Sequence, residues 1–384
     1  MAHKISSSHG LAPSAPTGPT SLRGKGPSAR PVVADATKLK PTSLGRVVFL
    51  RSLAAMVSSG IPIDRCLGYL AKQDDDRAMG LISQGLADRV RTGQRLSASM
   101  DKFPLCFSRL QIRLVQMGEN TGLLDKILGE LSAYEEKERQ TLLRVRSSLT
   151  YPAFVLVFAG LLMVIVPPYM LKGIFQMIEG SGVKPPALTR FVMAATDVLR
   201  QPWFYGVVLV GGAFSLWAAP RWLKKPSHRY LAFAAMDRVP ALGRIIKTIA
   251  VTRFSRALGL QLDCGMSPLA GIKVSAEVTD NPMLQANVEP ALEGLKNGLT
   301  MQGSLETLNF FPNLFLRMVQ VGEESASLPD MLGRVSDVYD LELETALEAF
   351  TALLEPMVMA AMGLMVGTFV IATMLPMAQL LQNL

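Results

Sequence analysis

Val115-Gln-Met-Gly-Glu119 recurs 204 residues later as Val319-Gln-Val-Gly-Glu323. The match extends outward from this pentapeptide, at an offset of 205 upstream and of 204 downstream. The paired positions are Phe49/Phe254, Arg51/Arg256, Leu53/Leu258, Gly60/Gly265, Gly93/Gly298, Leu124/Leu328, Leu128/Leu332 and Pro152/Pro356. A register held over that distance predicts a tandem duplication. A duplicated unit that ends in an apolar segment favours a symmetric membrane platform over a single active site.

Both repeats have the apolar spacing of helices. Leu124, Ile127, Leu128 and Leu131 recur every three or four residues, and no run alternates apolar and polar residues as a half-buried strand would. Proline and glycine interrupt each repeat at intervals, which predicts several short antiparallel helices in a bundle. No proline interrupts residues 124–151 or 330–355, so the last helix of each repeat is predicted to continue into the apolar segment that follows.

Three segments are apolar and long enough to approach or exceed the roughly 20 residues that a helix needs to cross a bilayer. Residues 151–171, 203–219 and 356–384 carry no charge. Eight Lys and Arg residues flank the outer ends of the first two segments, against four between them, which predicts cytosolic repeats. The predicted fold class is therefore an all-α membrane protein with two homologous cytosolic helical-bundle modules and three transmembrane helices.

The charge and composition changes along the chain place the domain boundaries. We predict a disordered Ser/Pro/Gly-rich basic tail at 1–43, a first cytosolic module at 44–147, a transmembrane helix at 148–171, a periplasmic connector at 172–202, a second transmembrane helix at 203–220, a second cytosolic module at 221–352, a third transmembrane helix at 353–376 and a periplasmic tail at 377–384. The tail at 1–43 has no apolar core, so it does not have the pattern of a secretory signal peptide.

Composition limits the classes of protein to consider. The chain is 49% hydrophobic and 18% charged, with mean hydropathy +0.28, which fits a mixture of membrane and soluble parts. The net charge of +8 follows from the basic tail and the basic membrane flanks, and it requires no nucleic acid. Cys66, Cys106 and Cys264 form no CxxC motif and are predicted to be reduced thiols within cytosolic helices.

The repeated turn is the most specific candidate site. Gly118 and Gly322 are predicted to take the left-handed conformation that closes a helix. A plain helix–helix turn explains these glycines but requires no acid. Glu119, Glu323 and the adjacent Glu324 are therefore candidates for contact with a basic residue of a partner or of the other module.

The third apolar segment supplies a second set of candidates. Glu355 stands at its beginning, either as a functional acid or as an interfacial glutamate solvated by lipid headgroups. Pro152 and Pro356 are predicted to mark the bend or the start of their membrane helices. Gly363 and Gly367 form a GxxxG motif that permits close helix packing within or between subunits.

The sequence has no motif that points to catalysis. It lacks GxxxxGK[ST], HExxH and GxSxG, and its histidines are too dispersed for a metal site, so no catalytic, cofactor-binding or metal residue is predicted. Two alternatives to a platform remain open, namely a transport or channel component with two gating half-modules and a membrane receptor for a ligand. The absence of ionisable residues within the apolar segments argues against coupled ion transport.

With its two Val-Gln-x-Gly-Glu turns, Leu354-Glu-Pro356 and the duplicated helical unit, the chain resembles the type II secretion F protein and the PilC-type platform proteins of type IV pilus systems. The resemblance covers residues 46–384. The second turn departs from it, because Ser325-Ala-Ser327 stands where the family usually has Ser-Gly. The first repeat also has four extra residues between Pro104 and Gly118.

The resemblance implies a non-enzymatic protein of the bacterial inner membrane that uses no cofactor. It implies as partners a cytosolic hexameric assembly ATPase, a pilin or pseudopilin, other inner-membrane assembly proteins, the lipid bilayer and further molecules of the same chain. The platform would couple the ATPase to the insertion of pilin into a fibre or its removal. Nothing in the resemblance implies binding of nucleic acid.

Overall fold

A computed structural model describes residues 39–72, 76–170, 187–201, single positions between 203 and 221, 226–238 and 240–382. The regular structure of these residues is helical, without strands among them, which confirms the all-α prediction.

The first repeat forms α1 Ser43–Ser58, α2 Ile63–Leu70, α3 Arg77–Arg91, α4 Leu96–Met100, α5 Arg109–Thr121 and α6 Leu124–Met170. Between the repeats lie α7 Ala187–Arg200 and α8 Pro226–Asp237. The second repeat forms α9 Pro240–Asp263, α10 Pro268–Val278, α11 Pro282–Asn287, α12 Glu289–Lys296, α13 Met301–Glu306, α14 Asn313–Glu324 and α15 Leu328–Gln382.

The helices of each repeat surround a hydrophobic core, and repeat-related residues occupy equivalent positions in the two cores. Phe49 of α1 packs on Phe107 with ring centroids 5.9 Å apart. Their repeat equivalents, Phe254 of α9 and Phe311, lie 4.8 Å apart. Phe315 adds a stacked ring 4.3 Å from Phe311 in the second core. The sequence duplication is therefore also a duplication of side-chain packing.

Two long helices, α6 and α15, are the principal feature of the fold, and we call them the stem helices. They contain 47 and 55 residues, so at about 1.5 Å per residue each is far longer than a bilayer is thick. Residues Leu124–Leu162 and Leu328–Leu375 contain windows apolar enough to cross a membrane, of which only 11% and 6% are buried. The predicted continuation of the last helix of each repeat into its apolar segment is confirmed.

Other predictions about the membrane segments have different outcomes. Pro152 and Pro356 lie inside the uninterrupted stem helices, so neither is the first residue of its helix, and their role in marking the bend or the start of a membrane span stays a prediction. The helices start instead just after the repeated turns, where the chain reverses. The predicted second span at 203–220 is described only at scattered positions, and most of the tail at 1–43 and about half of the connector at 172–202 lie outside the described residues.

The stem helices run parallel, with repeat-equivalent residues at nearly the same height. Lys137 of α6 forms an ion pair of 2.8 Å with Asp337 of α15, 200 residues later. Thr141 donates a hydrogen bond to Asp340 across a separation of 199, and Thr351 donates to the Ser148 carbonyl across 203. These separations fall one to five residues short of the repeat offset of 204, so equivalent positions of the two parallel stems are staggered by about 1.5–7.5 Å along the stem direction.

A buried arginine joins the stem helices to the second core. Arg256 of α9 has a side chain only 6% exposed, and it binds Glu138 of α6 at 2.7 Å and Asp340 of α15 at 2.5 Å. Arg253 forms a further ion pair of 3.1 Å with Glu138. A buried guanidinium is costly unless acids compensate it, so this cluster fixes the positions of α6, α9 and α15 relative to one another.

The three cysteines are free thiols, and their positions partly correct the prediction made for them. Cys66 lies in α2, whereas Cys106 and Cys264 lie in turns rather than within helices. Burial raises the pKa of Cys106 to about 12 and that of Cys264 to about 11. Since the thiolate is the reactive form, both thiols are expected to react slowly near neutral pH.

Candidate functional site

The two repeated turns have the same backbone, but not the one that the sequence suggested. Gly118 lies within α5, and the left-handed residue that ends the helix is Gly122, with φ of +74°. In the second repeat Gly322 lies within α14, and Ala326 takes the left-handed conformation with φ of +53°. The prediction for Gly118 and Gly322 is therefore wrong, because the helix continues past both of them by up to one turn.

Gly118 and Gly322 serve a different structural purpose, which is the close return of the chain onto the helix. A Cβ atom on Gly118 would lie 3.0 Å from the Cα atom of Leu124, the first residue of α6. A Cβ atom on Gly322 would lie 3.1 Å from the Cα atom of Leu328 and 3.0 Å from the Cβ atom of Met331. Each glycine therefore removes the side chain that would hold the stem helix away from the helix before it.

Glu119 and Glu323 cap the start of another helix in their own repeat. Glu119 accepts hydrogen bonds from the Leu96 amide at 2.5 Å and from the Ser97 hydroxyl at 2.5 Å, at the beginning of α4. Glu323 accepts from the Met301 amide at 2.9 Å, at the beginning of α13. The first amides of a helix have no partner within it and carry partial positive charge, so a carboxylate stabilises them.

This geometry supplies the structural reason for an acid that the turn alone did not explain. Both carboxylates join α4 or α13 to the turn that leads into a stem helix, so they are engaged within the molecule. Glu324, by contrast, is exposed and accepts a hydrogen bond of 2.9 Å only from Gln320 on its own helix. A role of Glu119, Glu323 or Glu324 in binding a partner stays a prediction.

The candidates of the third apolar segment lie apart from the turns. Glu355 and Pro356 are exposed on α15, about 40 Å along the helix from its first residue at the 1.5 Å rise of an α-helix. At Gly363 and Gly367 no atom of the described residues lies within 4 Å of the position of a Cβ. The structure therefore does not bring these residues together with the turns, and packing of the GxxxG motif within the chain is not observed among the described residues.

The buried ionic cluster is the feature that inspection of the sequence missed. Arg51 and Arg256 were visible as a repeated pair, but nothing in the sequence indicated that only Arg256 is buried. Glu135 of α6 is a second buried charged residue. Burial raises the pKa of its carboxyl, which accepts a hydrogen bond from the Gln111 amide. Burial of such groups depends on packing between the repeats, which a local pattern does not contain.

We predict that Glu323→Gln lowers the thermal stability of the full-length, detergent-solubilised chain, whereas Glu324→Gln leaves it unchanged. Loss of a charged helix cap costs about 1 kcal/mol. Glu324 is a matched control, because it is adjacent and exposed. Unfolding followed by intrinsic fluorescence measures both variants. Equal midpoints for the two variants would contradict a capping role for Glu323.

We also predict that substitution by alanine has opposite effects on stability at two glycines eleven positions apart. Gly118→Ala should destabilise the protein by about 1–3 kcal/mol, because the new methyl group meets the backbone of Leu124. Gly129→Ala should be neutral or stabilising by up to about 1 kcal/mol, because Gly129 lies in α6 with nothing within 4 Å. Denaturation of the two variants side by side provides the measurement. A Gly118→Ala variant as stable as Gly129→Ala would disprove the close approach.

Comparison with known proteins agrees with this architecture. The family model described as "Type II secretion system (T2SS), protein F" matches the chain twice, over residues 49–171 and 254–376. Each match includes the apolar segment of a stem helix. The two matched ranges start at Phe49 and Phe254, the same pair that begins the repeat.

Similar proteins have names from two related machines. The type IV pilus assembly protein PilC of Pseudomonas aeruginosa is 28% identical over 94% of this chain and 95% of its own length. PilC of Thermus thermophilus is 32% identical over 88% of this chain and 82% of its own. Type II secretion system protein F of Vibrio cholerae is 30% identical over 86% and 81%. Since both halves match the family and the alignments cover most of the sequence, the chain belongs to the type II secretion system protein F family.

Proposed function

We propose that this chain is the non-catalytic inner-membrane platform of a type IV pilus or type II secretion machine. The observation that carries the proposal is the pair of stem helices, each continuous from a folded helical core into an apolar, unburied segment. A continuous helix transmits a displacement at one end to the other without an intervening hinge. The names of the relatives, pilus assembly proteins and secretion system proteins, fit such a mechanical role.

In this proposal two cytosolic modules, at 44–147 and 221–352, rest on three transmembrane helices at 148–171, 203–220 and 353–376. The distribution of Lys and Arg supports the cytosolic side for both modules. Contact of the predicted connector with the far end of α15 also supports it. Thr189 of α7 donates a buried hydrogen bond of 2.8 Å to the carbonyl of Ala372, far along α15 from the second core.

The cytosolic modules would receive a hexameric assembly ATPase, and the membrane segments would receive a pilin or pseudopilin. The glutamates of the repeated turns would contribute to this coupling without touching a partner. Because Glu119 and Glu323 hold helices α4 and α13 against the turns that start the stem helices, movement of either short helix would be passed to a stem. Glu324 and Glu355 are exposed acids that remain free to meet basic residues of partners.

We expect the tagged, full-length chain, crosslinked in its own cells and then solubilised, to co-purify with a hexameric P-loop ATPase and a pilin-like subunit. An unrelated tagged protein of the same membrane, treated identically, serves as the control. Mass spectrometry identifies the captured proteins. Recovery of transport components, or of no ATPase after crosslinking, would contradict the platform and favour a channel or transport component.

A further inference from the structure

The contact between the two repeats uses a different surface on each. Glu138 of the first repeat binds Arg256 of the second. If the contact were symmetric, the repeat equivalents Glu342 and Arg51 would also meet. They do not, because Glu342 binds Arg244 at 2.9 Å and the Arg51 side chain is 68% exposed. Among the described residues, one half of a repeat-related contact surface is therefore left open on each repeat.

The side chains around Arg51 in the first repeat match the cluster around Arg256 in the second repeat, except that one acid is missing. Arg51 pairs with Glu136 at 3.5 Å, and these residues are the repeat equivalents of Arg256 and Asp340. The missing member corresponds to Glu138. Its equivalent, Glu342, uses only its Oε1 atom for Arg244, so its Oε2 atom can accept from a second arginine, just as Glu138 binds Arg253 and Arg256 through different oxygens.

Apolar residues are exposed beside both open halves. Leu341, the equivalent of Lys137, is 65% exposed on α15, and Val321, the equivalent of Met117, is 49% exposed on α14. On the other half, Tyr69 of α2 is 61% exposed. Its equivalent in the second repeat, Val274, packs against the first core. Exposed apolar side chains next to an incomplete ionic cluster indicate a surface that is covered by a partner.

We propose that this partner is another molecule of the same chain, bound head to tail. The α14 and α15 face of one molecule would cover the α1 and α2 face of the next, as the first repeat covers the second within the chain. Glu342 of one subunit would then complete the cluster on Arg51 and Glu136 of its neighbour. The proposal deepens the proposed function, and it rests on it in placing both molecules in one membrane.

The geometry of the stem helices permits this arrangement in a bilayer. Contacting residues of the two stem helices are 199 to 203 apart against a repeat offset of 204, so the helices run parallel with a stagger of at most about 7.5 Å. A molecule added by the same operation keeps its stem helices parallel to the first pair, with its apolar segments displaced along the membrane normal by no more than that stagger. A head-to-tail contact of this kind forms a ring when the rotation closes.

The charges along the proposed contact are compatible. Replacing each polar contact between the repeats by its repeat equivalent yields no pair of like charges. The resulting pairs are Glu342 with Arg51, Glu342 with Val48, Thr345 with Glu136, Glu348 with Gln140, Ala352 with Ser147, Leu341 with Ala133, Asp330 with Ser58 and Asn313 with Lys72. A surface that did not meet another molecule of the chain would be under no constraint to avoid such clashes.

A cysteine pair tests the contact directly in the full-length chain in native membranes. An arginine–glutamate pair holds its Cα atoms further apart than the roughly 7 Å limit of a disulfide, so the thiols are joined with a bismaleimide. Arg51→Cys together with Glu342→Cys should then be crosslinked between molecules, giving dimers and larger species on a denaturing gel. As a control, Lys137→Cys with Asp337→Cys, which replace an exposed ion pair between the two stem helices of one molecule, should be crosslinked within that molecule and give no larger species. Slow reaction of the buried native thiols keeps the background low.

Charge reversal gives a second measurement that leaves no covalent link. Arg51→Glu alone, or Glu342→Arg alone, should weaken self-association of the solubilised chain about tenfold or more, because like charges then face each other. The double variant should restore it. Failure of the first cysteine pair to crosslink while the control pair reacts, or crosslinking by either single variant to the same extent, would overturn the proposal.

The outcome is separable from that of the proposed function. Co-purification of the ATPase without crosslinking between Arg51→Cys and Glu342→Cys would remove the head-to-tail contact alone. Crosslinking without an ATPase would retain the contact and remove the platform.

Discussion

Arg256 carries a positive charge into the interior of the molecule, and the arrangement of the long helices depends on how that charge is compensated. Glu138 comes from one stem helix and Asp340 from the other, so the guanidinium is satisfied only when both stem helices are in place. Breaking such a buried pair typically costs about 3–5 kcal/mol. The cluster therefore acts as a specific link between the repeats, where apolar packing alone would tolerate sliding of one helix along the other.

A link between parallel helices suits a protein that transmits movement. The stem helices are held together beside the cores and continue without interruption into the apolar segments, so a rotation of one repeat would reach the membrane through both. The same duplication explains why the contact is one-sided. Two related units joined by a heterologous contact leave one unmatched surface each, and the surfaces around Arg51 and Glu342 are those surfaces.

The sequence was sufficient for the features that depend on local pattern. Helical spacing, absence of proline and the constant offset predicted the helices, the long continuous stems and the paired cores. It misplaced the left-handed residue, assigning it to Gly118 where Gly122 takes it, because two nearby glycines offer the same signal. It also left the acid at Glu119 unexplained, since the amide that it caps lies 23 residues away. Burial of Arg256 depends on contact between the repeats and was not accessible from either repeat alone.

The proposed function depends on a rigid stem that couples the helical core to the membrane, and the stiffness of that stem can be altered without changing its register. Leu142 and Leu143 lie on α6 just before the apolar segment and are 51% and 44% exposed. Replacing both by glycine loosens the helix by about 1 kcal/mol per residue relative to replacing both by alanine, while the same side chains are lost. The measurement is assembly of the fibre, or secretion, in cells carrying each variant at equal membrane levels. The account predicts that the double-alanine variant assembles normally and the double-glycine variant does not. Equal, undiminished assembly by both would contradict it.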